Sequence, residues 1–558
     1  MGRKGKSIVI GLDGGTLDLI DPWMEAGYLP NLRKISGAGV KASLKSVILP
    51  FTPQAWSSFM TGVNPGVHGI FGFKEIKKGS YGFQFVNHKK MRVKNLWNLL
   101  SEAGRKVVSI NIPMTYPPEP VNGVMISGMD APGVESDFVY PEKLKKEIFN
   151  IAPGYMIHLH VGAGYLDSDK KRREGLKGLL NMVENREKIV IHFLKNYEWD
   201  LFAVNFAATD QVQHHYWRYM NTDSEFKEAV LQVYKRVDQA VGRIAQELDS
   251  QTTLFIMSDH GAGPASDKVF FIDEWLKQKG YLEFQPRSLF KSALRQTSRF
   301  VLNTLSKNVS SNAKDSLMRM FPGLRVRSQG FIRRSMIKWD STQVFSGEHP
   351  ATLRINLKGR EPRGTVAPGK EKDNLCDRLI RDLESLVIPD TGERLVEKVY
   401  RREELYHGPC LEISPDLYIM TRDFSHQVRG GKFPRGLGYK EIIAKKNHRE
   451  FFVNGVHRMN GVFMAQGPDI ISGMCFPQEF SIMDLFPSIL YSMGVEIPDG
   501  LDGKILYPIF KDKFVHDNPA KYIEQEISVA CSEEERTYED EEDSRKIERS
   551  LRGLGYLD

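Results

Sequence analysis

The residues 254–263 read LFIMSDHGAG, so a run of four apolar residues stops on the ionisable pair Asp259-His260 and a glycine. A buried carboxylate beside an imidazole at the end of an apolar strand suits a metal ligand pair, and it also suits a hydrogen-bonded turn. A second pair occurs in TDQVQHHYW, where Asp210 and His214 are four residues apart. On a helix they project from one face and can share one cation, although an acidic helix start and a packed histidine give the same pattern. His215 lies about a quarter turn away and reads as structural. Asp13 follows the apolar run SIVIGL, and His457 sits among glycines in NGVHRMNGVFMAQGP. In ILPFTPQAWSSFMTG the pair Thr52-Pro53 reads as a helix start, with Thr52 as N-cap and Pro53 at the first helical position. A hydroxyl there lies beside free backbone N–H groups and the positive end of a helix dipole, a setting that attracts phosphate or sulfate. Taken alone, Thr52 also fits a simple cap.

Such residues need elements to position them. SIVIGLDGG (7–15), KVVSINIP (106–113), DLFAVNFAATD (200–210) and TTLFIMSDHG (252–261) read as buried strands. MRVKNLWNLLSEAGR (91–105) and EFKEAVLQVYKRVDQAVGRIAQEL (225–248) read as helices between them. In the latter, Val230, Val233, Val237, Val241 and Ile244 recur every three or four residues and form one core-facing stripe. Strands alternating with helices predict an α/β fold with a doubly wound, mostly parallel central sheet. Functional groups in such sheets gather at the carboxyl ends of strands, where Asp13 and Asp259-His260 fall.

The chain of 558 residues exceeds one simple core and divides, on pattern, into four stretches. These are a core at 1–280, an inserted basic cap at 281–445, a second part of the core at 446–515 and an acidic helical tail at 516–558. Between Arg287 and Lys338 there are twelve Lys/Arg and one acid, Asp315. Arg287, Lys291, Arg295 and Arg299 are spaced as a basic helix stripe, which suits peripheral contact with anionic surfaces, a cover that draws in an anionic substrate, or a face neutralised elsewhere. Eight acids between Glu533 and Asp543 offer such neutralisation, and Leu551, Leu554 and Tyr556 offer a docking face. The whole-chain charge of +7 is small for this length and argues against an obligatory nucleic-acid partner. Cys376, Cys410, Cys475 and Cys531 form no CxxC pair, no signal peptide follows MGRKGK, and no stretch of 18 apolar residues occurs. A cytoplasmic protein without a transmembrane segment is the expectation; no oligomeric state follows from the sequence.

Taken together, LDGG, FTPQAWSSFMTGVNPGVHGIF, TDQVQHHYW, SDHG and GVHRMNGVFMAQGP resemble the alkaline phosphatase superfamily, specifically its type I phosphodiesterase/nucleotide pyrophosphatase branch. The segments IMDLFPSILYSMGVEIPDGLDG and IERSLRGLGYLD are similar to family elements too. The resemblance implies an alkaline phosphatase-like fold and a small phosphate ester substrate. It also implies two divalent metal ions, zinc first and manganese as the alternative. One would be held by Asp210, His214 and His457, the other by Asp13, Asp259 and His260 with Thr52 Oγ as exchangeable ligand. Thr52 would then be the nucleophile that becomes phosphorylated. A phosphomonoesterase or phosphotransferase with the same site is the alternative, and a non-catalytic protein that binds anionic lipid or nucleic acid is a third reading. Two departures stand out. Family members carry an asparagine after HGI that donates to the phosphate, and here Phe73 takes that position, so backbone N–H groups after Thr52 or another donor must replace it. The Thr52, Gln54 and Trp56 pattern differs from the Cys/Ser-x-Pro-x-Arg of sulfatases. His68 and Arg360 also resemble family elements and are expected to support loops.

Overall fold

The computed structural model describes residues 5–159, 165–166, 168–285, 334, 336–430, 442–445, 453–524 and 541–554. Most of the basic stretch 287–338 and of the acidic run 533–543 therefore lies outside the described residues.

Ten strands form the central sheet. In chain order they are β1 (Lys6–Leu12), β2 (Val40–Lys45), β3 (Val107–Ile112), β4 (Gly123–Ser127), β5 (Val139–Tyr140), β6 (Leu201–Phe206) and β7 (Thr252–Met257). Outside this sheet, β8 (Gly261–Pro264) follows, and a second sheet contains β9 (Val344–Ser346), β10 (Thr352–Ile355), β11 (Val396–Arg401) and β12 (Leu417–Thr421). Last come β13 (Gly455–Arg458), which pairs with β8, and β14 (Asn460–Gln466), β15 (Met474–Cys475) and β16 (Phe480–Ser481), which complete the large sheet. The order across that sheet is β15-β2-β14-β7-β1-β6-β3-β4-β5, with β16 also on β2.

The middle of the sheet, β7-β1-β6-β3-β4, is parallel, whereas β14 runs antiparallel between β2 and β7. This is the mostly parallel α/β sheet that the alternation predicts. Strands β1, β3, β6 and β7 are apolar because helices cover both faces; β3, β6 and β7 are buried at every position.

The expected helix at 225–248 spans Ala229–Gln246, and its stripe Val230, Val233, Val237, Val241 and Ile244 is fully buried or nearly so. Burying each such side chain contributes roughly 1.5–3 kcal/mol. The helix expected at 91–105 is shorter, Leu96–Glu102, because Asn95 caps it: its side chain accepts from Asn98 N, and Asn98 returns a bond to Asn95 N. The C-terminal helix Glu541–Leu554 buries Ile547 and Leu551 in the main core, and Ser550 Oγ lies 2.6 Å from His158 Nε2.

A second hydrophobic cluster surrounds the four-stranded sheet β9-β10-β12-β11 and takes in the helix Lys370–Glu384 and earlier residues such as Phe270 and Trp275. Leu49 packs in this second cluster, while Phe51 packs in the first. The segment that carries Thr52 is thus fixed on both sides.

Candidate active site

Asp13 follows β1, Asp210 and His214 lie on the helix Ala208–Tyr216 after β6, and Asp259-His260 follow β7. These are neighbouring parallel strands, so their carboxyl ends bring the three groups together. His457 arrives from far along the chain because β13 pairs antiparallel with β8, with His457 opposite Ala262. That ribbon stacks the His457 and His260 rings at 3.6 Å. The ribbon needs glycine at 261, where a Cβ would come within 2.0 Å of Asn460 O. Gly14, with φ of +63°, lets the chain turn past Asp210, whose Oδ1 a Cβ there would approach to 3.0 Å.

Thr52 opens the helix Thr52–Thr61. Phe51, not Thr52, occupies the N-cap position, so Thr52 is the first helical residue and Pro53 the second. The Thr52 Oγ lies 3.4 Å from His260 Nε2 and is fully buried. Pro53 brings no N–H, and Ala55 N bonds to Phe51 O at 3.1 Å, which leaves the Gln54 N–H as a backbone donor beyond Thr52 in the first turn.

Three imidazoles share one arrangement. Nδ1 of His214 faces Gly455 O at 2.8 Å, Nδ1 of His457 faces Pro50 O at 2.8 Å, and Nδ1 of His260 faces Gly261 O at 3.0 Å. A carbonyl oxygen only accepts, so each Nδ1 carries the proton and each Nε2 is turned into the cluster. There His214 Nε2 lies 3.2 Å from Asp210 Oδ1 and 3.0 Å from His457 Nε2, and His457 Nε2 lies 3.5 Å from Asp210 Oδ1. Two Nε2 lone pairs at 3.0 Å repel unless a proton or a cation lies between them. His260 Nε2 lies 3.2 Å from Asp259 Oδ2 and 4.0 Å from Asp13 Oδ1.

The carboxylates are fixed by the fold as well. Asp259 Oδ1 accepts from Gly14 N at 3.1 Å, and Asp13 Oδ2 accepts from Asn205 Nδ2 at 2.8 Å. Asp259 Oδ2, buried, accepts no hydrogen bond among the described residues. Burial, and then Asp210, push the Asp13 carboxyl up to about 7. Burial and Asp13 likewise raise Asp259 well above the carboxylate range. Burial also raises the cost of charge on Asp210, but His214 and His457 outweigh it and hold Asp210 low. His260 and His457 are depressed by burial, and His214 is raised by Asp210 against its own burial.

Among the described residues two groups have ligand atoms within 4.8 Å of one another: Asp210, His214 and His457, and Asp13, Asp210 and His260. The buried, underbonded carboxylates and the inward Nε2 atoms fit divalent cations, with donors of the kind zinc or manganese takes. All seven residues singled out in the sequence meet here. His215 is buried outside the cluster, with its ring 6.3 Å from that of His214. Phe73 packs its ring edge-on against Phe51 at 5.4 Å and adds an apolar wall where a donor was expected. His68 and Arg360 bind their own surroundings: His68 Nε2 lies 3.0 Å from Ser58 Oγ, and Arg360 grips Asp416.

The model of type I phosphodiesterase / nucleotide pyrophosphatase matches residues 7–432. The chain belongs to this family. It is therefore a hydrolase of phosphoric esters of the phosphodiesterase and pyrophosphatase type. His457 lies beyond the matched range, and the β8-β13 pairing accounts for its place in the site. Among solved structures, human ectonucleotide pyrophosphatase / phosphodiesterase 5 is 13% identical, with 92% of this chain and 99% of that one covered and a TM-score of 0.47. The murine protein, in an inactive variant in complex with AMP, is 12% identical over the same shares, with a TM-score of 0.48. No curated protein matches the sequence.

Asn205 and Gln213 escaped the sequence reading. Asn205 holds Asp13, and Gln213 Nε2 donates to Gly14 O at 2.9 Å. The available signal for Asn205 was a polar residue inside the apolar run LFAVNF.

Proposed function

We propose that this enzyme cleaves phosphodiesters through a phospho-threonine on Thr52. Asp210, His214 and His457 would hold one divalent cation, and Asp13, Asp259, His260 and Thr52 Oγ the other. Zinc is the favoured ion and manganese the alternative. When bound, the pair supplies Lewis acidity that eases ionisation of a hydroxyl and of water and offsets charge on the oxygens entering and leaving phosphorus.

The observation that carries the reading is the set of three imidazoles, each tied through Nδ1 to a backbone carbonyl with Nε2 turned into the cluster, that of His260 lying 3.4 Å from Thr52 Oγ. Such outer bonds fix tautomer and orientation in ligand histidines. Thr52 lies in the first turn of a ten-residue helix, where the dipole favours a phosphoryl group. Its oxygen forms a bond to phosphorus as the bond to the leaving oxygen breaks, and an alcohol or nucleotide departs with a proton. Water then cleaves the phospho-threonine, restoring the Thr52 hydroxyl and releasing a phosphomonoester.

The test compares kcat/KM for bis-p-nitrophenyl phosphate and p-nitrophenyl phosphate on metal-stripped protein reloaded with zinc or manganese. Preference for the diester, abolished in Thr52→Ala, is the expected result. Preference for the monoester would put phosphomonoesterase or phosphotransferase chemistry first, and no metal-dependent turnover of either would refute the reading. A cytoplasmic setting belongs to the same proposal, supported by the thiols of Cys376 and Cys475, and cell fractionation checks it.

A further inference from the structure

Arg186, on the helix Asp169–Asn196, is only 2% exposed. A guanidinium taken out of water normally meets a carboxylate. Arg354 and Arg402, buried too, do so: Arg354 Nε donates to Glu348 and Arg402 Nε to Glu403, both at 2.9 Å. Arg186 has no carboxylate partner among the described residues. Its Nη1 donates to Asn205 O at 2.6 Å and its Nη2 to Ile157 O at 2.8 Å. Burial pulls the guanidinium below its ordinary range, and Tyr155 and then Asp13 act against that. The fold thus buries a charge and directs it at two main-chain oxygens.

The Asn205 carbonyl takes this donor at a place where one neighbouring strand has ended. β6 pairs with β1 as far as Phe206, but with β3 only as far as Val204, opposite Ile110. One residue on in β3, Asn111 has a φ of +57° and its Nδ2 donates to Ser127 O at 2.8 Å. Asn205 therefore lies just past the last β3 pair, and Arg186 binds its carbonyl from the helix.

The side chain of the same residue reaches the site, where Asn205 Nδ2 donates to Asp13 Oδ2 at 2.8 Å. Its register partner on β1 is Gly11, where a Cβ would come within 2.9 Å of Asn205 Oδ1 and 2.5 Å of Trp56 Cη2. The amide is confined on that side as well. With its main chain held by Arg186 and its side chain packed over Gly11, Asn205 presents one N–H to one oxygen of Asp13.

We propose that Arg186 is a positioning residue: by holding the Asn205 carbonyl it aims the Asn205 amide at Asp13 and so sets the Asp13 carboxylate for a divalent cation. This rests on the reading above in which Asp13 holds one. Arg186 acts on metal binding first and on turnover only through it. An arginine suits the task, since its planar fork ties β6 and Ile157 together with two donors of fixed geometry.

The test uses full-length, metal-stripped protein and three measurements: zinc affinity by competition with a chelator, Tm of the stripped protein, and kcat/KM for bis-p-nitrophenyl phosphate after reloading. Arg186→Met keeps much of the volume and removes every donor; Arg186→Lys keeps a charged donor. Arg186→Met is expected to weaken zinc binding to the folded protein by about tenfold. Arg186→Lys is expected to regain a large part of it. In Asn205→Ala protein, which has already lost the amide, Arg186→Met should weaken zinc binding by no more than about a further twofold. A wild type that binds zinc, with Arg186→Met equal to it in affinity, overturns this inference and leaves the reading of Asp13 standing, whatever the change in Tm. Full additivity of Arg186→Met with Asn205→Ala, or equal losses in Arg186→Met and Arg186→Lys, also overturns it, since either marks a packing role. Should Arg186→Met not fold, Arg186→Gln is judged by the same results. A wild type that binds neither zinc nor manganese overturns the reading and this inference with it.

Discussion

Two groups of buried charge in this molecule are built on opposite terms. Beside the four-stranded sheet of the second cluster, Asp416 accepts from Arg360 Nη1 at 2.9 Å and Nη2 at 2.5 Å and from Ile355 N at 2.8 Å, with Lys372 Nζ 3.5 Å away. Burial alone would raise its carboxyl, but Arg360, Lys372 and Arg402 hold it down at about 2. In the site, Asp13 and Asp259 are as deeply buried and face another carboxylate, so both move up. The first group brings its own counter-charge and is complete. Among the described residues the second pairs its carboxylates with imidazoles alone, and in a folded protein that deficit of positive charge points to something that binds there.

Substitutions should therefore act with opposite sign on the two groups. Asp416→Asn leaves Arg360 and Lys372 buried against a neutral partner and should cost about 3–5 kcal/mol of stability, seen in chemical denaturation, with metal content per folded chain unchanged. Asp259→Asn should leave the metal-stripped protein at least as stable, because it replaces a carboxyl that already resists ionisation. The same variant should lose at least about 10²-fold in kcat/KM. If Asp259→Asn destabilised the stripped protein as much as Asp416→Asn, the contrast would be wrong.

On a pH axis the contrast is equally sharp. Asp416 has a folded value below its unfolded one, so its stabilisation is present above about 4 and lost as pH falls towards 2. Asp13 has a folded value of about 7, above its unfolded one, so it favours the folded stripped protein below about 4 and loses that contribution as pH rises through 7. The cations proposed above would displace that proton on binding. Metal affinity should rise about tenfold per pH unit for each proton displaced below pH 7, which calorimetry in buffers of different ionisation heat measures.

Smaller effects sharpen the picture. Asn205→Ala removes the bond to Asp13 Oδ2 and should weaken metal binding by about 10–100-fold without removing a ligand, measured by competition with a chelator. Lys188→Ala breaks an exposed i,i+4 pair with Glu184 and should change stability by less than about 0.5 kcal/mol, setting the baseline for charge removal away from both groups.

The sequence displayed the parts of this site that depend on the order of the chain. Asp13 and Asp259-His260 end apolar strands, and Asp210 and His214 share a helix face, so strand and helix periodicity placed five of the seven groups at one edge of the sheet. Thr52 was legible as a helix start but shifted by one position, since cap and first turn differ by a backbone angle that composition does not encode. His457 needed its motif neighbours, because its place is set by an antiparallel ribbon between segments almost two hundred residues apart.

The position of Leu49 and Phe51 has a consequence for how the enzyme fails. These two residues are rooted in different hydrophobic cores, with Thr52 immediately after them. Loosening either core therefore slackens one end of the strap that leads into Thr52. Partial melting around the second core alone should therefore silence the enzyme while Asp13, Asp210 and Asp259 at the large sheet remain in place.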